Sequence, residues 1–279
     1  MDEKLLRSAD ILINLAYSED IGEGDITTNN LIPAGERKTA LFTAKEDGII
    51  AGLPVAEMVF RKLDENLEWE TLVRDGCWVK KGDTIVKFSG SYRALLSGER
   101  TALNFLQRMS GIATLTNQFV KAVEGTGVKI LDTRKTMPGY RLLDKYSVRM
   151  GGAVNHRVGL YDMVMIKDNH IQVAGGIKNA VETVRQKIPA NIKIEVEAST
   201  LEMVKDAIEA GADIIMLDNM STETMAKAVK LIDKRTKTEA SGNMSLQKIK
   251  EVAEIGVDFI SIGALTHSVK ALDISQRIL

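Results

Sequence analysis

The sequence predicts an α/β fold whose second half is a barrel of parallel strands wrapped by helices. From Val128 onward, short β-rich runs alternate with amphipathic stretches of ten or more residues, the rhythm of βα units and a parallel sheet. No helical stretch there is apolar all round, so each keeps one wet face, as the outer helices of a barrel do. The first half has a different rhythm, mixing helical spacing with short strands around glycine turns. An open doubly wound sheet is the alternative to the barrel.

The elements follow in order. Leu5, Leu6, Ala9, Leu12, Ile13 and Ala16 recur at helical spacing, and GEGD at Gly22–Asp25 ends that helix. Lys38 to Gly52 alternates like a strand, with a turn near Asp47-Gly48. Pro54 suits the start of a short helix ending near Leu63. Val73 to Gly90 reads as short strands around glycines. Its DGCWVKKGDTI is similar to the hairpins of biotinyl and lipoyl carriers but lacks their Met-Lys-Met tip, so it is read as a structural hairpin.

From Ser91 the chain turns helical for longer than one helix should run, and Gly98 and Gly111 are expected to divide it. A domain boundary is placed here, giving domains 1–112 and 113–279. Six strands are then expected: Val128–Asp132, Met163–Lys167, Ile192–Glu197, Asp213–Asp218, Thr238–Ser241 and Asp258–Gly263. Amphipathic helices separate them, and VKALDISQRI is expected to be a final helix that can return to the N-terminal domain.

Composition narrows the function. The chain has 279 residues, 44% hydrophobic and 27% charged, enough for a sizeable core. A net charge of −1 excludes a global basic field for nucleic acid or anionic membrane, so any anion affinity must be local. The one cysteine, Cys77, excludes a disulfide framework and a multi-cysteine zinc site. That fits a reducing cytoplasm. The N-terminus does not read as a signal peptide, and no apolar run approaches the roughly 20 residues of a membrane span.

The chemistry gathers where strands end. VKILD leads into Thr133-Arg134-Lys135, MVMI ends on Lys167, IKIEV on Glu197 and DIIML on Asp218. Barrels place their active sites at the C-terminal ends of strands. A single charge there is ordinarily the start of a solvated loop; several in register point to a common centre. GGAVNHRVGLYD adds His156 and Arg157, and all three histidines (His156, His170 and His267) are expected in loops beside strand ends. A partly buried cation cluster is costly unless an anion fills it, and guanidinium forks match carboxylates and phosphates. The implied ligand is multiply anionic.

ASGN (Ala240–Asn243) and IGALTHS (Ile262–Ser268) each precede a predicted helix and offer small residues with free backbone N–H groups, a phosphate-binding combination. The plainer alternative is that both are helix caps. Glu197 and Asp218 are a carboxylate pair able to hold Mg²⁺ or to favour a cationic sugar. They could equally be ion-pair partners for Lys135 and Lys167.

At these residues the chain resembles the quinolinate phosphoribosyltransferase family nearly end to end. The resemblance is carried by GDITT, AKEDGIIAG, SGERTALNFLQRMSGIAT, LDTRKTMPGYR, GGAVNHRVGLYDMVMIKDNH, EVE, MLDN, EASGN and GALTHS. It implies an N-terminal α/β sandwich domain joined to an irregular, incomplete TIM-like barrel. It also implies a cytoplasmic homodimer, or multiple of dimers, with shared sites into which each subunit lends Arg100. By resemblance, Thr133, Arg134, Lys135, His156, Arg157 and Lys167 line the quinolinate and pyrophosphate pocket. Glu197 and Asp218 match carboxylates near the ribose and Mg²⁺. Ser241, Gly242, Asn243, Gly263, Ala264 and His267 match the 5′-phosphate loops. Lys135, Lys167, Glu197 and Asp218 are the expected catalytic groups, with Mg²⁺ as metal and no organic cofactor.

Asn243 departs from the family's usual Gly, and Met137, Tyr140 and Met150 depart from its commoner residues. Two alternatives keep the anion site or its lysine: a same-fold relative of the molybdenum-transport-associated type with another acceptor, and a lyase forming a Schiff base on Lys167.

Overall fold

The structure, a computed structural model, describes residues 2–279. Its elements in chain order are α1 (Glu3–Asp20), α2 (Ile26–Leu31), β1 (Arg37–Ala44), β2 (Gly48–Ile49), α3 (Leu53–Leu63), β3 (Glu68–Thr71), β4 (Trp78–Val79), β5 (Thr84–Ser91), α4 (Tyr92–Ala122), β6 (Lys129–Leu131), α5 (Arg141–Met150), β7 (Val164–Ile166), α6 (Asp168–Ala174), α7 (Ile177–Arg185), β8 (Ile194–Ala198), α8 (Leu201–Glu209), β9 (Ile214–Asp218), α9 (Thr222–Ile232), β10 (Lys237–Ser241), α10 (Ile249–Glu254), β11 (Phe259–Ser261), α11 (Ala264–His267) and β12 (Ile274–Ile278). They form two compact units. The first runs from the N-terminus to Asn117 and takes in Thr136–Gly152 and Ala264–Leu279; the second holds Gln118–Lys135 and Ala153–Gly263.

The first unit is built on an antiparallel sheet in the order β12-β1-β5-β3. Phe42 of β1, Phe88 of β5 and Trp69 of β3 meet Phe60 of α3, with the Phe42 and Phe60 rings each 4.9 Å from Phe88. Each fully buried ring contributes about 1.5–3 kcal/mol. Leu95, Leu103 and Leu106 of α4 complete this core. Asp25 caps α2 by accepting from the Thr28 N–H, so the predicted helix break at GEGD is also the start of the next helix. α3 begins with Pro54 in its first turn, as expected.

Three expectations change here. α4 is one helix of 31 residues, not several. Gly98 and Gly111 do not break it; they let neighbours approach. A Cβ on Gly98 would sit 2.9 Å from the Phe60 ring, and one on Gly111 would sit 2.1 Å from Lys270 O. The final segment is not a helix but strand β12, pairing antiparallel to β1 from Ala40↔Ile278 to Ala44↔Ile274. The open edge of β1 offers a row of unpaired backbone groups, and satisfying them outweighs a weak helical pattern. His170 and His267 lie in helices α6 and α11, not in loops. α5, α6 and β3 had no counterpart in the sequence reading.

The second unit holds the parallel sheet, in the order β6-β11-β10-β9-β8-β7. Strands lie side by side in chain order, and the first pairs with the last. That is the cyclic winding of a barrel, which rules out the doubly wound alternative. Closure fails between β6 and β7, where an isolated bridge joins Leu131 to Val154. The barrel is thus incomplete. α7, α8 and α9 each bury one stripe, such as Met225, Ala228 and Ile232 of α9, and keep a wet face. Thr200 and Ser221 cap α8 and α9. Among the described residues, no helix is long and apolar enough to cross a membrane.

Candidate active site

The strand period places the site. Side chains two apart on a strand share a face, so Met165 and Lys167, Glu195 and Glu197, Met216 and Asp218, and Glu239 and Ser241 form inward-facing pairs. A cavity of about 400 Å³ lies at these strand ends in the second unit. Thr133, Arg134, Lys135, His156, Arg157, Lys167, Glu197, Asp218 and Ser241 line it, with Met165, Met216, Asn219, Glu239 and Ser261.

Cations dominate one part of the wall. The Lys135 N–H donates to Thr133 Oγ1 at 3.1 Å, curling the loop after β6. Arg157 donates to Met163 O at 3.1 Å. Burial and the nearby Arg134 charge both work against charge on its guanidinium. Two guanidiniums that repel one another across a cavity wall are stabilised by an anion placed between them. Lys167 stands at the N-terminus of α6, its N–H donating to His170 Nδ1 at 3.0 Å, and its ammonium donates to Glu197 Oε2. The plain ion-pair alternative therefore holds for Glu197 and Lys167. Asp218 instead accepts from Asn219 Nδ2 at 2.7 Å.

In the cavity wall, the predicted His156 meets two carboxylates that the sequence reading did not single out. The loop carrying His156 is held by the fully buried Asp132, which accepts from Asn155 Nδ2 at 2.7 Å and the His156 N–H at 2.8 Å. His156 Nε2 faces Glu195 Oε2 at 3.0 Å and Glu239 Oε2 at 3.3 Å, both carboxylates being fully buried. Its Nδ1 accepts the Arg157 N–H at 2.8 Å. Both ring nitrogens are thus engaged by protein. The three side chains are close enough to hold a metal ion. However, an Nδ1 that accepts puts the ring proton on Nε2, which then faces the carboxylates as a donor and not as a metal ligand.

Burial opposes charge on His156, but its hydrogen bonds to the Glu195 and Glu239 carboxylates outweigh it and raise the imidazole to about 9. Burial, reinforced by Glu239, raises Glu195 to about 7 despite the His156 hydrogen bond. His156 and Glu195 thus titrate as one buried pair that holds its proton near neutrality. Part of the signal for this cluster was in the sequence: Glu195 is a charge inside an apolar run, and Glu195 and Glu239 lie two residues from Glu197 and Ser241 and so on the same face.

The remaining predicted residues are placed as follows. Gly242 (φ 101°) and Asn243 (φ 45°) follow β10 in left-handed conformations, which Asn tolerates better than most residues. α10 starts only at Ile249, so the helix expected directly behind ASGN begins later. Gly263 ends the second unit. Ala264 and His267 open and close the four-residue α11 of the first unit, where His267 Nδ1 pairs with Ser268 Oγ at 2.7 Å. Arg100 lies within α4 in the first unit.

Residues 25–110 match the model of the quinolinate phosphoribosyl transferase N-terminal domain, and residues 112–277 match that of its C-terminal domain. The nicotinate-nucleotide pyrophosphorylase (carboxylating), chloroplastic, of Arabidopsis thaliana is 49% identical over 286 residues, covering 96% of this chain and 82% of its own. The crystal structure of NadC from Streptococcus pyogenes superposes with a TM-score of 0.96 at 39% identity, covering 100% of this chain and 99% of that one. The nicotinate-nucleotide pyrophosphorylase from Francisella tularensis superposes at 0.95 with 41% identity, over 98% of this chain and 96% of that one. The chain belongs to the quinolinate phosphoribosyltransferase family.

Proposed function

We propose that this chain transfers the phosphoribosyl group of phosphoribosyl pyrophosphate to the ring nitrogen of quinolinate with loss of CO₂, forming nicotinic acid mononucleotide for NAD biosynthesis. The observation that carries the reading is the cavity in which Arg134, Lys135, Arg157 and Lys167 stand against Glu197 and Asp218. Both substrates are multiply anionic, and each needs fixed positive charge in a place from which water is excluded.

Arg134 and Arg157 clamp the two carboxylates of quinolinate, which sets the ring nitrogen toward C1 of the ribose. Lys135 and Lys167 offset the charge that accumulates on the departing pyrophosphate as the C1–O bond breaks. Glu197 and Asp218 favour the positive charge developing on the sugar and hold its hydroxyls. Once the C1–N bond has formed, the ring nitrogen is cationic. The C2–carboxylate bond then breaks to release CO₂, its electron pair stays on C2 beside N⁺, and a proton takes its place. Ser241 with the Gly242-Asn243 turn is assigned to the 5′-phosphate.

Mg²⁺ fits the donor set. Glu197 and Asp218 offer hard carboxylate oxygens, and among the described residues each commits one oxygen to a protein partner, Lys167 and Asn219 respectively. These two residues would hold the ion, which would supply charge neutralisation for pyrophosphate. The reading includes a cytoplasmic homodimer into whose sites Arg100 is lent by the partner. Leu160, Tyr161 and Val173 of the second unit are exposed, and the single exposed Cys77 suits a reducing compartment.

The test is to supply quinolinate, phosphoribosyl pyrophosphate and Mg²⁺ and to follow CO₂ and the mononucleotide together. Matched release of both, lost without Mg²⁺ or with nicotinate as acceptor, is the expected result. A folded protein that forms neither product refutes the reading.

A further inference from the structure

Asn219 directly follows β9 and lines the cavity, yet no step above uses it. Its backbone is left-handed (φ 53°), a conformation that costs most residues free energy and Asn less. Nδ2 donates to Asp218 Oδ2 at 2.7 Å. A carboxylate only accepts, so this bond decides which end of the amide is which. Oδ1 then lies over Gly242 at the neighbouring strand end: a Cβ built there would be 2.3 Å from it. The Asn219 N–H donates to Ser241 O at 3.1 Å, and Ser241 is the register partner of Asp218. One residue therefore touches the acidic end of β9 and both residues that open the loop after β10. Gly242 (φ 101°) takes a backbone that favours glycine, and the seated amide is a second reason for glycine at this position.

We propose that Asn219 is a positioning residue that locks the Asp218 carboxylate to the Ser241–Asn243 loop, so that the ribose and 5′-phosphate ends of phosphoribosyl pyrophosphate meet one rigid surface. This rests on the assignment of Asp218 and Ser241 to that substrate. Binding a rigid pair is favoured because less freedom is lost when the substrate arrives. A turn residue with no such role would affect stability but not the choice between substrates.

Asn219→Gly is the informative variant, since glycine keeps the left-handed backbone and removes only the amide. The expected result is a rise of about 10-fold in KM for phosphoribosyl pyrophosphate, the equivalent of losing one charge-assisted hydrogen bond, with KM for quinolinate unchanged. Thermal stabilisation by phosphoribosyl pyrophosphate with Mg²⁺ should shrink, while the melting temperature without ligand stays near that of the parent. Unchanged KM for phosphoribosyl pyrophosphate overturns the proposal, as does a parallel rise for both substrates with a lowered melting temperature. Gly242→Ala supplies the second arm. Its effect on the same KM should be larger with Asn219 present than in the Asn219→Gly background, where the clashing amide is gone; equal effects overturn the coupling. The parent enzyme separates the two levels of failure. A parent without turnover refutes the substrate assignment itself, whereas an active parent with an unaffected variant refutes only the role of Asn219.

Discussion

Lys135 and Lys167 are both ammonium groups after a strand, yet their surroundings differ. Lys167 is paired with Glu197 at the start of α6, and Lys135 follows Arg134 in the loop after β6. On the proposed reading, removing Lys135 takes fixed positive charge from where pyrophosphate would leave. Lys135→Ala should lower kcat/KM by about 10²-fold or more, the loss typical of one preorganised electrostatic group, with little change in melting temperature. Steady-state kinetics beside a melting curve checks both. The buried cluster makes a different prediction. His156 is raised from 6.5 to about 9, so the folded chain holds a proton that the unfolded chain releases in that window. Its contribution is complete below pH 6.5 and is lost as pH rises toward 9. The melting temperature should fall by a few degrees across this range, and Glu239→Gln should flatten the slope. A parent melting temperature constant from pH 6.5 to 9 would contradict the raised proton affinity.

At the scale of elements, α4 shows where local rules lose to packing. Glycine inside a helix costs about 1 kcal/mol relative to alanine, so Gly111→Ala looks favourable by propensity. The Cβ would nevertheless lie 2.1 Å from Lys270 O, a backbone atom that cannot swing away. Overpacking of this kind costs about 1–3 kcal/mol or more, and the net effect should be destabilising. Denaturant titration should show a lower midpoint; a midpoint at or above the parent would mean that the Lys270 segment yields freely. β12 carries the same lesson. Ile274, Gln276 and Ile278 do alternate, but five residues at the end of an amphipathic stretch do not reveal which strand they will join.

For the whole molecule, the proposed sharing of Arg100 makes a prediction that no single-chain property could mimic. Arg100→Ala and Lys135→Ala should each impair a site, the first through the partner and the second through its own barrel. In an equal mixture that re-forms dimers at random, half are mixed, and each mixed dimer has one site with both residues intact. Activity should return to about a quarter of the parent value. Activity that stays at the level of the separate variants would place both residues in a site built from one chain.

The sequence by itself determined the βα rhythm, the six parallel strands, and the charged residues that end them. Those are local properties: hydrophobic period, turn chemistry, and the side chain at the last position of a run. The inward pairs Glu195 with Glu197 and Glu239 with Ser241 were legible in the same way, from the period of two. Only the tertiary structure decided that the sheet closes in chain order with a gap between β6 and β7, that α4 runs unbroken past two glycines, and that the last residues add a strand to β1. It also decided that His156 faces two carboxylates and that Asn219 rests on Gly242. Each of these depends on segments far apart in the chain, whose meeting is set by which backbone edges and buried charges remain unsatisfied after the local elements have formed.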